Sequence, residues 1–238
     1  MFFDSNVGWN SFSSWDSGAQ SWMWKRHAGF DVVTYKGNGS SSGDTNNIPH
    51  GLNQIPEMAW IKNRDSSQDW GVYHKDMHSS IPQKFYMKLN TNDGRTYEDQ
   101  TFDSPTATYF NLRHNALVNA NNADFIMMLF ASVDGISKVG YYTGNGTSGS
   151  STQTISTGFA PRFLIIKRTD TSNSYTNWAV FDTVRGWGSG NDQTLTLNRD
   201  NAQGSADFGA PTSTGFTLLG DFDAANANNG NYIYSAHA

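Results

Sequence analysis

The chain has 238 residues, a formal charge of −5 and no cysteine, which excludes disulfide scaffolds, Cys-ligated zinc and thiol catalysis and leaves no basic excess for nucleic-acid phosphates. Charged residues are only 16% and aromatics 14%, with glutamate confined to Glu57 and Glu98. The Lys- and Glu-rich faces of helices are therefore missing, while the Trp and Phe that a disordered chain lacks are plentiful.

In chain order, the segment up to about residue 28 comes first. It carries Trp9, Trp15, Trp22 and Trp24, half of the eight tryptophans. Such an aromatic arm is costly to leave in water, so it is expected to pack on its own chain or dock on another subunit. Its opening, Met1-Phe2-Phe3-Asp4, has no basic region followed by an apolar one, so exposure outside a cell is expected to come by lysis rather than a signal peptide. Strands are then expected at 30–35, 58–62, 70–74, 84–89, 108–112 and 125–131, rich in β-branched and aromatic residues and bounded by turn residues. A second set is expected at 138–143, 162–168, 178–182, 193–197, 215–219 and 231–236. No stretch has a helical apolar face, and the longest apolar run, 125–131, is too short to cross a bilayer as a helix.

The two sets are copies. Tyr35-Lys36-Gly37-Asn38-Gly39 returns as Tyr142-Thr143-Gly144-Asn145-Gly146, Trp70 as Trp178, Leu89-Asn90 as Leu197-Asn198, and Ala120-Asn121-Asn122 as Ala227-Asn228-Asn229, at an offset of about 107 residues. The expected fold is all-β: an N-terminal aromatic arm (1–28) and two tandem β-sandwich units of jelly-roll or lectin-like type (29–133 and 134–238). The short link at Ser132-Val133-Asp134 calls for units packed closely in a fixed relation.

Few residues suggest chemistry. His74 and His78 have metal-ligand spacing but follow a strand, and Lys75 stands where a zincin needs Glu, so a polar turn is expected. Asp221-Phe222-Asp223 loosely resembles a calcium loop, without a closing Glu. Asp182 and Arg185-Gly186 read as a local turn contact. No carboxylate pair, nucleophile elbow or phosphate loop stands out, so no catalytic residue, metal or cofactor is expected. Asn38-Gly39-Ser40 and Asn145-Gly146-Thr147 match a glycosylation pattern, but Asn-Gly pairs with positive φ at a hairpin explain both. Recognition remains: aromatic rings stack on sugars and acids bind their hydroxyls, giving Trp187, Trp60, Asp221 and Asp223 as candidate ligand-binding residues. Trp187, between Gly186 and Gly188 in a long loop, is the best candidate for an exposed ring. Trp70 and Trp178, at one strand station in both copies, read as core.

Several segments taken together resemble a family of uncharacterised phage structural proteins common in marine phages. They are Trp24-Lys25-Arg26 leading into Gly29-Phe30-Asp31-Val32-Val33-Thr34-Tyr35 and Gly37-Asn38-Gly39, Ile48-Pro49-His50-Gly51-Leu52 before Pro56-Glu57-Met58, Ile61-Lys62-Asn63-Arg64-Asp65, Lys167-Arg168-Thr169-Asp170 and Trp178-Ala179-Val180-Phe181-Asp182. The resemblance covers the chain from about residue 21 and brings no catalytic residues. It implies a lectin-like sandwich in a virion surface component: a fibre, spike or capsid decoration, assembled in the host cytoplasm and later exposed outside. Expected partners are copies of the chain, joined through the arm bearing Trp9, Trp15, Trp22 and Trp24, and other virion proteins, with a host-surface glycan as the alternative and neither nucleic acid nor membrane insertion. A glycan hydrolase is the remaining alternative.

Overall fold

The structure, a computed structural model, describes residues 22–26, 28–41, 43–147 and 152–238. The first unit contains β1 (Phe30–Lys36), β2 (Asn46–Pro49), β3 (Met58–Asn63), β4 (Gly71–His74), β5 (Phe85–Lys88), β6 (Thr96–Tyr97), β7 (Tyr109–Leu112), the one-turn helix α1 (Ala116–Asn119) and β8 (Asp124–Phe130). The second contains β9 (Ser137–Thr143), β10 (Gln153–Ser156), β11 (Phe163–Arg168), β12 (Ala179–Asp182), β13 (Asp192–Thr196), β14 (Gly204–Ala206), β15 (Pro211–Thr212), β16 (Gly215–Leu218) and β17 (Asn231–His237). All twelve expected strands are present. The additional strands β2, β6, β10, β14 and β15 are short, and their polar or Pro-containing sequences carry little apolar alternation.

Each unit builds one six-stranded antiparallel sheet, in the order β1-β8-β3-β4-β5-β6 and, strand for strand, β9-β17-β11-β12-β13-β14. Each large sheet is backed by a small one, β2-β7 in the first unit and β10-β16-β15 in the second. The molecule is thus two sandwiches with no strand exchanged between them.

Both faces of each large sheet carry buried side chains. On β8, Phe125, Met127 and Leu129 enter the first unit's own core with Ala59, Ile61, Tyr73 and Phe110, while Met128 and Phe130 face the other way. That second face carries Met58, Trp60 and Val72 and meets Phe163, Ile165, Trp178, Val180 and Ile233 of the second unit. Leu164, Ile166, Phe181, Phe216 and Tyr232 form the second unit's own core. Strands apolar on both sides, such as β8 and β11, follow from this: alternation would place polar groups in one of two dry layers.

The duplication extends to hydrogen bonds. Asn119 is fully buried; its Oδ1 accepts from Asn38 N at 3.0 Å and its Nδ2 donates to Asn38 Oδ1, Ser40 Oγ and Arg113 O. Asn226, equally buried, accepts from Asn145 N at 3.1 Å and donates to Asn145 Oδ1, Thr147 Oγ1 and Gly220 O. Tyr35 Oη donates to Val118 O at 2.6 Å, and Tyr142 Oη to Ala225 O at 2.5 Å. The Gly-Asn-Gly segments are therefore not hairpin turns: β1 pairs with β8 and β9 with β17. They are loops clamped by a buried Asn. Only the second glycine of each has positive φ, at 56° and 58°, whereas a Cβ on Gly37 or Gly144 would lie 2.0 or 2.3 Å from the carbonyl oxygen of Ala120 or Ala227.

Removing either clamp should cost about 2–3 kcal/mol, because several buried partners lose their bond at once. Asn119→Ala and Asn226→Ala are expected to lower stability to the same degree in denaturant titrations, while Asn228→Ala, at an exposed position, stays within about 0.5 kcal/mol of the parent. Residues 134–238 produced alone would leave Phe163, Ile165, Val180 and Ile233 bare. They are expected to aggregate or stay unfolded where the intact chain unfolds in one transition; a soluble, folded half would show that the inter-unit layer is dispensable.

Candidate functional site

The structure separates the four sequence-derived ligand residues. Trp187 is only 4% exposed and lies in the second core against Phe181 and Phe216, so it offers no surface ring. The local turns steer it inward: Asp182 Oδ1 accepts from Arg185 N at 2.8 Å, Gly186 reverses the chain at φ 105°, and Gly188 N donates to buried Asp192. Its flanking glycines serve that reversal. Trp60 is also buried, in the layer between the units. His74 ends β4 fully buried and accepts from Asp76 N, whereas His78 lies in the polar turn that follows and accepts from Ser80 N.

In the arm, Trp9 and Trp15 lie outside the described residues. Trp22 and Trp24 are half-buried against both units of their own chain: Trp22 meets Phe163 at 5.5 Å, and Trp24 packs edge-on to Trp60 and Phe130. Beside them is a groove of about 450 Å³, lined by Phe30, Phe163, Arg162 and His237 and edged by Met23, Ile136 and Val184. Val184 is 81% and Met23 67% exposed.

Asp221 and Asp223 do come together, at a second concavity. A cleft of about 810 Å³ lies on the outer face of the second large sheet. Its floor is Ala179 on β12 and Thr194 and Thr196 on β13; one wall is Tyr175 and Asn177, another Asp221, Phe222, Asp223 and Ala224, with Arg199 at one side. Asp223 is ion-paired to Arg168 and accepts from Asn173 Nδ2 at 3.0 Å, which ties the two walls together. Asp221 Oδ1 accepts from Asn228 N. Sequence reasoning missed Tyr175, Thr194, Thr196, Arg199 and Phe222. Their signal was the difference between the copies: the β11–β12 connection, 169–178, is longer than the β3–β4 connection, 64–70. Among the described residues no group of three or more His, Asp or Glu could hold a metal ion.

Lys167 and His74 are buried where the units meet, and His237 packs against Trp24 and Phe163. Burial pushes the Lys167 ammonium down to about 7, against the pull of Asp93 and Asp170 and with the neighbouring Arg168 charge lowering it further. Its Nζ donates to Asn92 O at 3.3 Å and Arg168 O at 2.7 Å. Burial likewise brings His74 and His237 down to about 4. Nε2 of His74 is enclosed beside the Tyr234 main chain without a well-formed hydrogen bond. Lys167 and His74 brace the junction, while His237 reaches the groove beside Trp22 and Trp24.

Compared with known proteins, residues 19–238 match a family model described as a domain of unknown function, DUF7483. No curated protein matches the chain.

The buried groups set a pH profile. His74 and His237 stay neutral in the folded chain to about 4 but accept a proton near 6.5 once unfolded, so stability falls as pH drops through that interval. The unfolded Lys167 keeps its proton to 10.5 and the folded one releases it near 7, so stability rises with pH above 7. Burial raises Tyr232 and Tyr234 to about 12, so above their usual 10 the unfolded chain loses protons first and stability turns down. Urea titrations are expected to show a maximum near pH ~9–10, with Lys167→Met abolishing the rise between about 7 and 9. A parent profile flat over that range would overturn the assignment.

Proposed function

The chain belongs to the DUF7483 family, and we propose that it is a non-enzymatic structural and interaction subunit of a phage virion surface, a fibre, spike or capsid decoration, that associates with copies of itself at the edge where its N-terminal segment meets the two units. The observation that carries this reading is the groove edged by Met23, Ile136 and Val184. Three exposed large side chains gathered at the edge of one groove of mixed lining, with Lys25, Arg162 and Asp182 beside Phe30 and Phe163, favour an association site there. The groove forms where both units and the N-terminal segment meet, so a copy seated there would bind a fixed platform rather than a single loop. Trp22 and Trp24 contribute to its wall, which leaves the exposed Met23 to reach a neighbour. The virion placement draws on the sequence resemblance to phage structural proteins. Assembly in the host cytoplasm and later exposure, with other virion proteins as further partners, belong to the same reading.

Mass in solution by light scattering tests it. The intact protein is expected to form a defined oligomer, and the version lacking residues 1–20 and the Val184→Asp variant are expected to fall to folded monomers. An intact protein that stays monomeric at every accessible concentration would sink self-association.

A further inference from the structure

Around one cleft of the second unit, three side chains are smaller than their counterparts in the first. The register of β4 with β5, Val72 opposite Met87, matches that of β12 with β13, Val180 opposite Leu195. Thr194 is therefore the counterpart of Tyr86, whose ring packs against the first unit's core. The matched bonds of Tyr35 to Val118 and Tyr142 to Ala225 make Ala224 the counterpart of Leu117 and Ala225 that of Val118. Leu117 and Val118 are buried core residues in the first unit. Three bulky side chains have become small ones, and two of the small ones, Thr194 and Ala224, line the cleft.

The same unit lengthens the loop above that space. Residues 64–70 connect the strands in the first unit and 169–178 in the second. The longer loop is held in place: Asn173 Oδ1 accepts from Tyr175 N at 2.8 Å, Asn173 Nδ2 donates to Asp223, and Thr176 Oγ1 donates to Asn92 O at 3.0 Å. It presents Tyr175 with 71% of its surface exposed, and Phe222, 39% exposed and packed on Phe208 at 4.8 Å, stands across the cleft. An ordered aromatic ring turned to solvent has no role in the core. The polar groups match it. Asp221 has one carboxylate oxygen, Oδ2, without a protein partner among the described residues, and Arg199 is exposed with no ion pair there. Thr194 and Thr196 set hydroxyls in the floor.

We infer that this cleft binds an uncharged pyranose unit of a glycan. A sugar ring has an apolar C–H face that stacks on Tyr175 or Phe222, and vicinal hydroxyls that donate to Asp221, accept from Arg199 and exchange hydrogen bonds with the threonine hydroxyls. Charge decides against an acidic sugar: Asp223 is matched by Arg168 and Asp221 offsets Arg199, so no net cation faces the cleft. The volume of about 810 Å³ lies in the usual range for small-ligand sites and has room for a short oligosaccharide. This inference does not depend on self-association.

The test is binding to an immobilised panel of oligosaccharides ending in glucose, galactose, mannose or N-acetylglucosamine, with sialylated and uronate-ended members as the acidic arm. Saturable binding to at least one neutral member is expected. Tyr175→Ala should weaken it at least about tenfold, as should Thr194→Tyr, which restores the first unit's residue; Tyr97→Ala, an exposed ring on the first unit, should leave it unchanged. Thermal melting checks that each variant folds, and if Thr194→Tyr does not, Tyr175→Ala decides. Absence of neutral binding at millimolar sugar, binding by the acidic arm alone, or equal binding in parent and Tyr175→Ala would each overturn the inference. The panel is read at fixed protein mass, so a negative result leaves the self-association reading untouched.

Discussion

The structure depends on one contact: the apolar layer in which the two six-stranded sheets meet face to face. Met58, Trp60, Val72 and Phe130 from one side and Phe163, Ile165, Trp178 and Val180 from the other are all buried in it. A sheet dry on both faces cannot use alternating polarity, so each central strand must be apolar throughout. Each sandwich has its own core, but removing its partner would expose a sheet face of that composition to water. The order β1-β8-β3-β4-β5-β6, repeated as β9-β17-β11-β12-β13-β14, is what duplication followed by face-to-face packing produces.

That constraint also explains which parts of the fold could be read from the sequence. Strands buried on both faces appear as short apolar runs, such as Phe125 to Phe130 and Phe163 to Ile166, and all of them were visible. The repeat was visible because its stations are structural: Asn119 and Asn226 clamp the two Gly-Asn-Gly loops, and Asn90 and Asn198 each accept from the Trp amide at the same strand station. The small outer sheets were not, because β2 and β10 are polar, four-residue strands whose pairing comes from the layer beneath them. Trp187 misled for a related reason: glycines on both sides suggest a surface loop, yet here they let the chain turn a large ring into the second core.

The cleft was harder to read because it is made by what is missing. No motif marks it. Asp221 and Asp223 could be picked out as acids in a turn, but Thr194 and Ala224 gain meaning only when set against Tyr86 and Leu117 through strand register and matched hydrogen bonds. A duplicated fold allows this kind of divergence at low cost. Large-to-small changes in a lone core leave cavities that destabilise by several kcal/mol; here Thr194 and Ala224 line a cleft open to solvent, and only Ala225 stays enclosed in the second core.

The inter-unit layer and the cleft are connected through the polar rim of the junction. Residues 92–95 of the first unit reach into the second: Asn92 Nδ2 donates to Asn173 O at 2.6 Å, Gly94 N to Ser172 Oγ, and Arg95 N to Thr169 O at 2.8 Å. Buried Lys167 adds its bond to Asn92 O from below. These contacts fall on the loop that carries Tyr175 and, through Asn173, on Asp223 of the facing wall. A buried amine is a poor choice for stability alone, since an apolar residue would cost less to desolvate. Its value here is positional. The unit that kept Tyr86 and Leu117 in its core supplies the fixed surface against which the loop of the other unit is held, so the geometry of the cleft is a property of the pair and not of the unit that contains it.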